Sequence, residues 1–398
     1  MHVFAKCADF DAADELRRRG LYPYFQRIEE THDTHVVIGG KRKLMVGSNN
    51  YMGLTHDPRI VRAAREAFER FGSGNTGSRF LNGNLELHDR LETELAAFVG
   101  KEAALVFSTG YQTNLGTIAA LVGRGDSVVL DKFDHACIQD GARLSFGETL
   151  RFRHNDLEHL DQLLERAGDR GKLIVVDGVY SMEGDIAQLP EITRIARRHD
   201  AAVMVDDAHS LGVLGPNGAG TAEHFGITDQ VDLITGTFSK SLASIGGFVA
   251  GDAKVIDYIR NHSRALIFSA SIPPASAATV LRALEIIKEE PWRRERLWAN
   301  TRKMRDGLRA AGFNIGDTET PIIPLIIGPR ETTFGMWRAL LDAGVFTNPV
   351  ISPAVPENAC RLRTSYMATH TDEQLDFVLD QIIRVGREFK VMNEVGAA

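Results

Sequence analysis

The stretch "ITGTFSKSLASIGGFVAGD", Ile234 to Asp252, holds a lysine in an unusual place. Lys240 follows an apolar run, sits among small hydroxyl residues and precedes a Gly-Gly pair. Surface lysines commonly share helix faces with other charges. Lys240 has no charged neighbour between Ile234 and Val249. It is either a turn lysine that happens to follow a strand, or an amine placed at a strand end to do chemistry.

The segments around it decide the fold class. "AALVF", "DSVVLD", "KLIVVDG", "AAVMVDD", "VDLITGT" and "GGFVAGD" are rich in Val, Ile and Ala without strict alternation. That pattern fits strands buried on both faces of a mostly parallel sheet. Amphipathic segments such as "DLEHLDQLLERAG" and "LPEITRIARRH" separate several of them, which predicts an α/β fold with a central sheet covered by helices. Upstream, "DPRIVRAAREAFERF" opens with Asp57 as N-cap and Pro58 at the first helical position.

The pattern changes after "SIPPASAATVLRALEIIKEEPW". Long helices, "PIIPLII", "RLRTSYM" and a last helix opened by a Thr371–Gln374 capping box follow. This predicts an N-terminal segment at 1–45, a large α/β domain at 46–285 and a smaller α+β domain at 286–398. A chain of 398 residues exceeds one ordinary domain, in agreement with that division.

Composition narrows the function. At 43% hydrophobic and 25% charged residues the chain reads as soluble and globular. A net charge of −7 argues against a nucleic-acid binder. Cys7, Cys137 and Cys360 are odd in number and far apart. They form no disulfide framework and no metal-site spacing, and they suit a reducing cytosol. The N-terminus "MHVFAKCADFDAADEL" lacks a signal-peptide core, and no window approaches the roughly 18 apolar residues of a membrane span. The expectation is a cytoplasmic protein without a bound metal or a transmembrane segment, which leaves room for transient contact with a membrane surface.

In open α/β sheets, ligands bind beyond the carboxyl ends of the strands. "VFSTGYQTNLG" leaves a strand through Ser108, Thr109 and Gly110 and enters a helix, an arrangement that suits a phosphate. "VMVDDAHSLG" ends a strand in Asp206 and Asp207, with His209 close behind. Asp206 is either a helix cap or a carboxylate that pairs with a protonated ring nitrogen. Parallel neighbouring strands would bring Asp206 and Lys240 to one sheet edge. An amine and a carboxylate in one strand-end cleft are what pyridoxal phosphate needs: the amine forms the Schiff base, and the carboxylate keeps the pyridine nitrogen protonated. Thr237 and Ser239 flank the lysine and could bond the phosphate.

Taken together, "STGYQTNLG", "DHACIQDGARLS", "DGVYSMEGD", "VDDAHSLG", "GTFSKSLASIGG" and "RLRTSYMATHT" resemble the α-oxoamine synthases, fold-type I pyridoxal-phosphate enzymes. The resemblance runs from about Leu21 to about Glu388. These enzymes join an amino acid to an acyl-CoA with loss of carbon dioxide. The resemblance implies that Lys240 carries the cofactor and shuttles the α-proton, that Asp206 pairs with the ring nitrogen, and that His209 bonds the phenolic oxygen. His135 would stack on the ring, although a histidine opening a helix can also be only a cap. Gly110 and Tyr111 would bind the phosphate, with Thr237 and Ser239 near it, and Ser181 would sit beside the ring. Arg363 would clamp the amino-acid carboxylate, and Asn50 would face the substrate. The family is homodimeric with shared sites, and Ser269 would reach the partner's phosphate. Some relatives carry an arginine where this chain has Ile351, so that role is absent here or is supplied elsewhere.

"GSRFLNGNLELH", "GTFSKSLASIGGFVAGD" and "NPVISPAVP" look most like the branch that joins L-serine to a long-chain acyl-CoA, palmitoyl-CoA, giving 3-ketodihydrosphingosine. The branches using alanine with pimeloyl-CoA or glycine with acetyl-CoA share the catalytic set and remain alternatives. A cofactor-free regulatory subunit is a different class, and such subunits typically lack the lysine. A plain aminotransferase would release neither carbon dioxide nor free CoA.

Overall fold

The computed structural model describes residues 2–393. At its centre lies a seven-stranded sheet. Its order across the sheet is Ala103–Phe107, Gly247–Gly251, Leu233–Thr237, Ala202–Asp206, Lys172–Asp177, Ser127–Asp131 and Glu148–Phe152. Neighbours from Leu233–Thr237 to Glu148–Phe152 run parallel. Gly247–Gly251 runs antiparallel to both of its partners, so the strand just after Lys240 is the exception in the predicted parallel sheet.

Both faces of the sheet are covered, which explains the unbroken apolar runs. Val128 and Leu130 pack on one side with Ile118, Ile138 and Ile256. Val129, one residue along the pleat, packs on the other side with Leu160, Leu164 and Ile192. Each such buried aliphatic side chain contributes about 1.5–3 kcal/mol. Helix ends follow their local signals. Asp57 accepts the amide of Arg59 at 2.9 Å, and Thr371 and Gln374 form the reciprocal capping box. Pro291 stands between the helices Pro274–Glu289 and Trp292–Ala310, at the N-cap of the second.

A second core is built around Trp337, Leu340, Leu362 and Ile382. A three-stranded antiparallel sheet, Ile322–Gly328, Cys360–Ser365 and Asn348–Val350, lies against it. The N-terminal strand Lys41–Met45 pairs in parallel with Val345–Phe346, and Val36 and Leu44 join this second core. The expected boundary between residues 285 and 286 falls inside the helix Pro274–Glu289. Among the described residues, no helix is long and apolar enough to cross a membrane.

Candidate active site

The carboxyl ends of the parallel strands open into a cavity of about 340 Å³. Asp206 ends its strand paired in register with Asp177 on one side and Thr235 on the other. Two residues beyond Thr235 the next strand stops, and Lys240 follows. Lys240, Asp206, His209 and His135 all line the cavity, as expected from their places at strand ends. Gly110 and Tyr111, at the start of a helix, line it too, with Ser181, Thr237 and Ser239.

Asp206 is buried, and its carboxylate is held from two directions. Oδ2 accepts from the Asn114 amide at 2.5 Å and Oδ1 from the backbone N–H of Ala208 at 2.9 Å. The Asn114 carbonyl in turn accepts from the Thr235 hydroxyl at 2.8 Å. Held in this way, its oxygens keep lone pairs free for a ring N–H. Asp177 lies beside it, its carboxyl pushed up by burial and by the Asp206 charge. The site therefore disfavours the ionised form of Asp177.

The Lys240 amine stands at the cavity wall. Burial lowers it to about 8, with Asp206 pulling the other way. A neutral, nucleophilic amine is thus available near neutral pH. His209 is pushed well below its ordinary value by burial and by the Lys240 charge. Its Nδ1 lies 2.7 Å from the Tyr51 hydroxyl, which fixes the ring and leaves Nε2 without a protein partner.

His135 both caps a helix and lines the cavity. Its Nδ1 accepts the Cys137 amide at 3.2 Å, capping the helix Ala136–Leu144, and its ring lines the cavity edge-on to Tyr111. Burial keeps the ring neutral. Its own backbone N–H donates to Asp177 at 3.2 Å.

The helix Gly110–Leu121 points its first turn at the cavity, with Thr109 accepting from Gln112 as N-cap. Such an N-terminus offers N–H groups and a positive dipole end to a phosphate. Gly110 is required here by close approach, because a Cβ would fall 2.7 Å from the Thr237 hydroxyl oxygen. The donor set therefore fits pyridoxal phosphate: N–H groups and hydroxyls for the phosphate, a carboxylate for the ring nitrogen and an amine for the aldehyde.

Arg363, on the antiparallel sheet, touches the cavity-lining residue Ser181. Its Nε donates to the Ser181 carbonyl at 2.6 Å and its Nη2 to Asn49 at 2.9 Å. Arg363, Asn50 and Ser269 are not among the residues lining the cavity. The Asn50 side chain instead closes a turn, donating to Thr55 and accepting from the Leu54 amide. The asparagine that meets Arg363 is its neighbour Asn49. The Ser269 hydroxyl accepts from Gln112 at 3.1 Å within its own chain. Asn114, Thr235, Tyr51, Asn49 and Asp177 were not singled out from sequence. Of these only Asp177 carried a signal, as the polar end of the run "KLIVVDG".

Comparison with known proteins agrees with this geometry. Residues 41–382 match the family Aminotransferase class I and II. A serine palmitoyltransferase of Sphingobacterium spiritivorum is 53% identical over 387 residues, covering 97% of each chain. An 8-amino-7-oxononanoate synthase of Geotalea daltonii is 42% identical, covering 95% of this chain and 97% of its own. Among solved structures, serine palmitoyltransferase from S. paucimobilis with a bound PLP–myriocin aldimine superposes with a TM-score of 0.96 at 40% identity, covering 98% of this chain and 100% of that one. A serine palmitoyltransferase structure with its PLP internal aldimine gives the same TM-score at 41% identity and the same coverage. By fold, by its lysine-centred cleft and by these matches, the chain belongs to the class I and II aminotransferase family, among the α-oxoamine synthases.

Proposed function

We propose that this protein condenses L-serine with a long-chain acyl-CoA, palmitoyl-CoA, to give 3-ketodihydrosphingosine, CoA and carbon dioxide, the first step of sphingolipid synthesis. The observation that carries this reading is the order of its relatives. Among the most similar curated relatives, serine palmitoyltransferases match at 45–53% identity and 8-amino-7-oxononanoate synthases at 39–42%, while the solved serine palmitoyltransferase structures match at 38–42%.

Bound pyridoxal phosphate supplies an electron sink for the bonding pair released at the amino-acid α-carbon. Asp206, oriented by Asn114, keeps the proton on the ring nitrogen. Gly110 and Tyr111 N–H groups hold the phosphate with the Thr237 and Ser239 hydroxyls. His209 bonds the phenolic oxygen, and neutral His135 covers one ring face and excludes water. Arg363, tied at Nε and at one Nη2 hydrogen, presents its remaining N–H groups to the substrate carboxylate. Lys240 removes the α-proton and later returns one. In the net reaction a C–C bond forms between the α-carbon and the acyl carbonyl carbon, the thioester C–S bond breaks, and the carboxylate leaves as carbon dioxide.

The segments 1–45, 46–285 and 286–398 are proposed as the units of this enzyme, the middle one binding the cofactor. We also infer a cytoplasmic homodimer in which Ser269 reaches the partner's phosphate. Support comes from the exposure of large apolar side chains around that segment and the 77–84 turn, Phe268 at 74% and Leu81 at 79%.

The test offers serine, glycine, alanine and threonine against acetyl-, pimeloyl- and palmitoyl-CoA and measures CoA release. Serine with palmitoyl-CoA should turn over best. Best turnover with alanine and pimeloyl-CoA, or with glycine and acetyl-CoA, overturns the substrate assignment and leaves the roles of Lys240 and Asp206 standing.

A further inference from the structure

His154 lies outside the cavity, in the turn between the strand Glu148–Phe152 and the helix Leu157–Ala167. Its Nδ1 is 3.0 Å from Asp131 and its Nε2 is 2.9 Å from Asp185. An ionised carboxylate only accepts, so two carboxylates on one ring call for two ring N–H groups and a cationic imidazole. Burial opposes that charge, but the bonds to Asp131 and Asp185 outweigh it and hold His154 up at about 9. Glu183 is the further carboxylate that feels this charge. Phe133 stacks on the ring at 4.4 Å and Tyr180 meets it edge-on at 4.5 Å.

The next residue repeats the connection. Asn155 has a left-handed φ of 52°, a conformation asparagine tolerates better than most. From there its backbone N–H donates to Asp131 at 3.0 Å and its side chain to Asp185 at 2.8 Å. Two adjacent residues thus tie the end of the strand Ser127–Asp131 to the loop that holds Asp185.

That loop carries the arginine contacts. It closes on itself through Gly184 N–H to the Tyr180 carbonyl at 2.8 Å and Tyr180 N–H to the Asp185 carbonyl at 3.1 Å. On its other side the Ser181 carbonyl accepts from Arg363 Nε, and the Met182 carbonyl accepts from Arg361 at 3.1 Å. The loop is therefore fixed to the central sheet by His154 and Asn155, and it in turn supports the two arginines of the strand Cys360–Ser365. A neutral ring could donate to only one of the two carboxylates. The fully buried Asp131 or the loop-borne Asp185 would then lose a charge-assisted partner.

We propose that His154 is a positioning residue for Arg363. By joining Asp131 to Asp185 it fixes the Tyr180–Asp185 turn, and through the Ser181 carbonyl it sets the guanidinium that receives the amino-acid carboxylate. This rests on the reading of Arg363 given above.

The test is a double-mutant cycle on the holoenzyme. The Kd for L-serine is read from the change in cofactor absorbance, and the KM for palmitoyl-CoA from CoA release. His154→Gln should weaken serine about tenfold while leaving the palmitoyl-CoA KM within about twofold. In an Arg363→Ala background the same substitution should change the serine Kd by less than about twofold, because the group it acts through is gone. An unchanged serine Kd in His154→Gln, or equal losses in both backgrounds, overturns the proposal. If His154→Gln does not fold, Asp185→Asn removes one carboxylate at constant shape, and the same measurements decide. A wild-type protein whose absorbance responds to no amino acid overturns the reading of the site, and the proposal with it. A responsive wild type with purely additive losses overturns the proposal alone.

Discussion

The Asn114 amide reaches Asp206 across 2.5 Å and orients the carboxylate proposed to meet the cofactor ring. Asn114→Ala removes that donor and leaves the Thr235 hydroxyl only the Val205 carbonyl at 3.5 Å as acceptor. Pyridoxal phosphate should bind about tenfold more weakly, the worth of one hydrogen bond to a charged group. Equilibrium dialysis of the cofactor checks this, and unchanged retention would show that Ala208 alone orients Asp206.

Lys240→Ala should fold, as seen by circular dichroism, and keep no more than about a few per cent of turnover, because both the covalent attachment point and the proton carrier are gone. The wild-type amine makes a pH prediction as well. Burial lowers Lys240 to about 8, so the neutral form grows as pH rises through that value. The rate of pyridoxal phosphate capture by the cofactor-free protein, divided by that of a simple alkylamine, should stay level below about 8 and fall above it, where only the alkylamine keeps gaining neutral form. A midpoint near that of free lysine would mean that Asp206 cancels the effect of burial.

Arg363→Ala should raise the KM for the amino acid by roughly thirtyfold, about 2 kcal/mol, and barely move that for acyl-CoA. Initial-rate measurements with each substrate varied in turn separate the two constants. Equal changes would make Arg363 a strut for the Ser181 turn with no direct contact to substrate.

For the inferred homodimer, Lys240→Ala and Ser269→Phe are each expected to be inactive. After mixing and subunit exchange, about a quarter of wild-type activity should return, since half of the random dimers contain one intact site. A fully active monomer by light scattering at dilution would end the shared-site reading.

His370 sets an acid limit on stability. Its Nδ1 accepts from the Met367 amide at 3.0 Å and its Nε2 donates to the Met45 carbonyl at 3.1 Å, an arrangement only the neutral ring satisfies. Burial lowers it to about 4, whereas the unfolded chain takes up its proton near 6.5. Stability is therefore fully present above about 6.5 and falls as pH drops toward 4, by on the order of 2 kcal/mol. Urea midpoints at pH 7.5 and pH 5 measure that slope, and His370→Gln should flatten it.

The sheet and its catalytic edge were legible because polar residues ending apolar runs are visible in one dimension. Asp206 and Lys240 are such residues, and the α/β alternation placed both at one edge. The reversed direction of Gly247–Gly251 was not legible, since its run of small apolar residues reads the same either way and only its partners fix the direction. Asn114 and Thr235 sit inside a helix and a strand with nothing in their neighbours to mark them. Their use appears only when two distant elements meet at Asp206. In "NNYMGL" sequence drew attention to Asn50, yet backbone direction gives Asn49 the contact with Arg363 and turns Asn50 into a local brace. His135 shows that a cap and a site residue need not be competing descriptions of one side chain.

The strand Ala103–Phe107 finds its sheet partner only in Gly247–Gly251, well over a hundred residues later. On a ribosome adding about 5–20 residues per second, that apolar edge waits roughly ten seconds for its neighbour. Lys41–Met45 waits longer still, for Val345–Phe346. The central sheet cannot close before Gly251 is made, nor the N-terminal one before Phe346, so assembly is dominated by distant pairings and should be slow. A nascent or truncated chain would carry unpaired strand edges of the kind that recruit other chains.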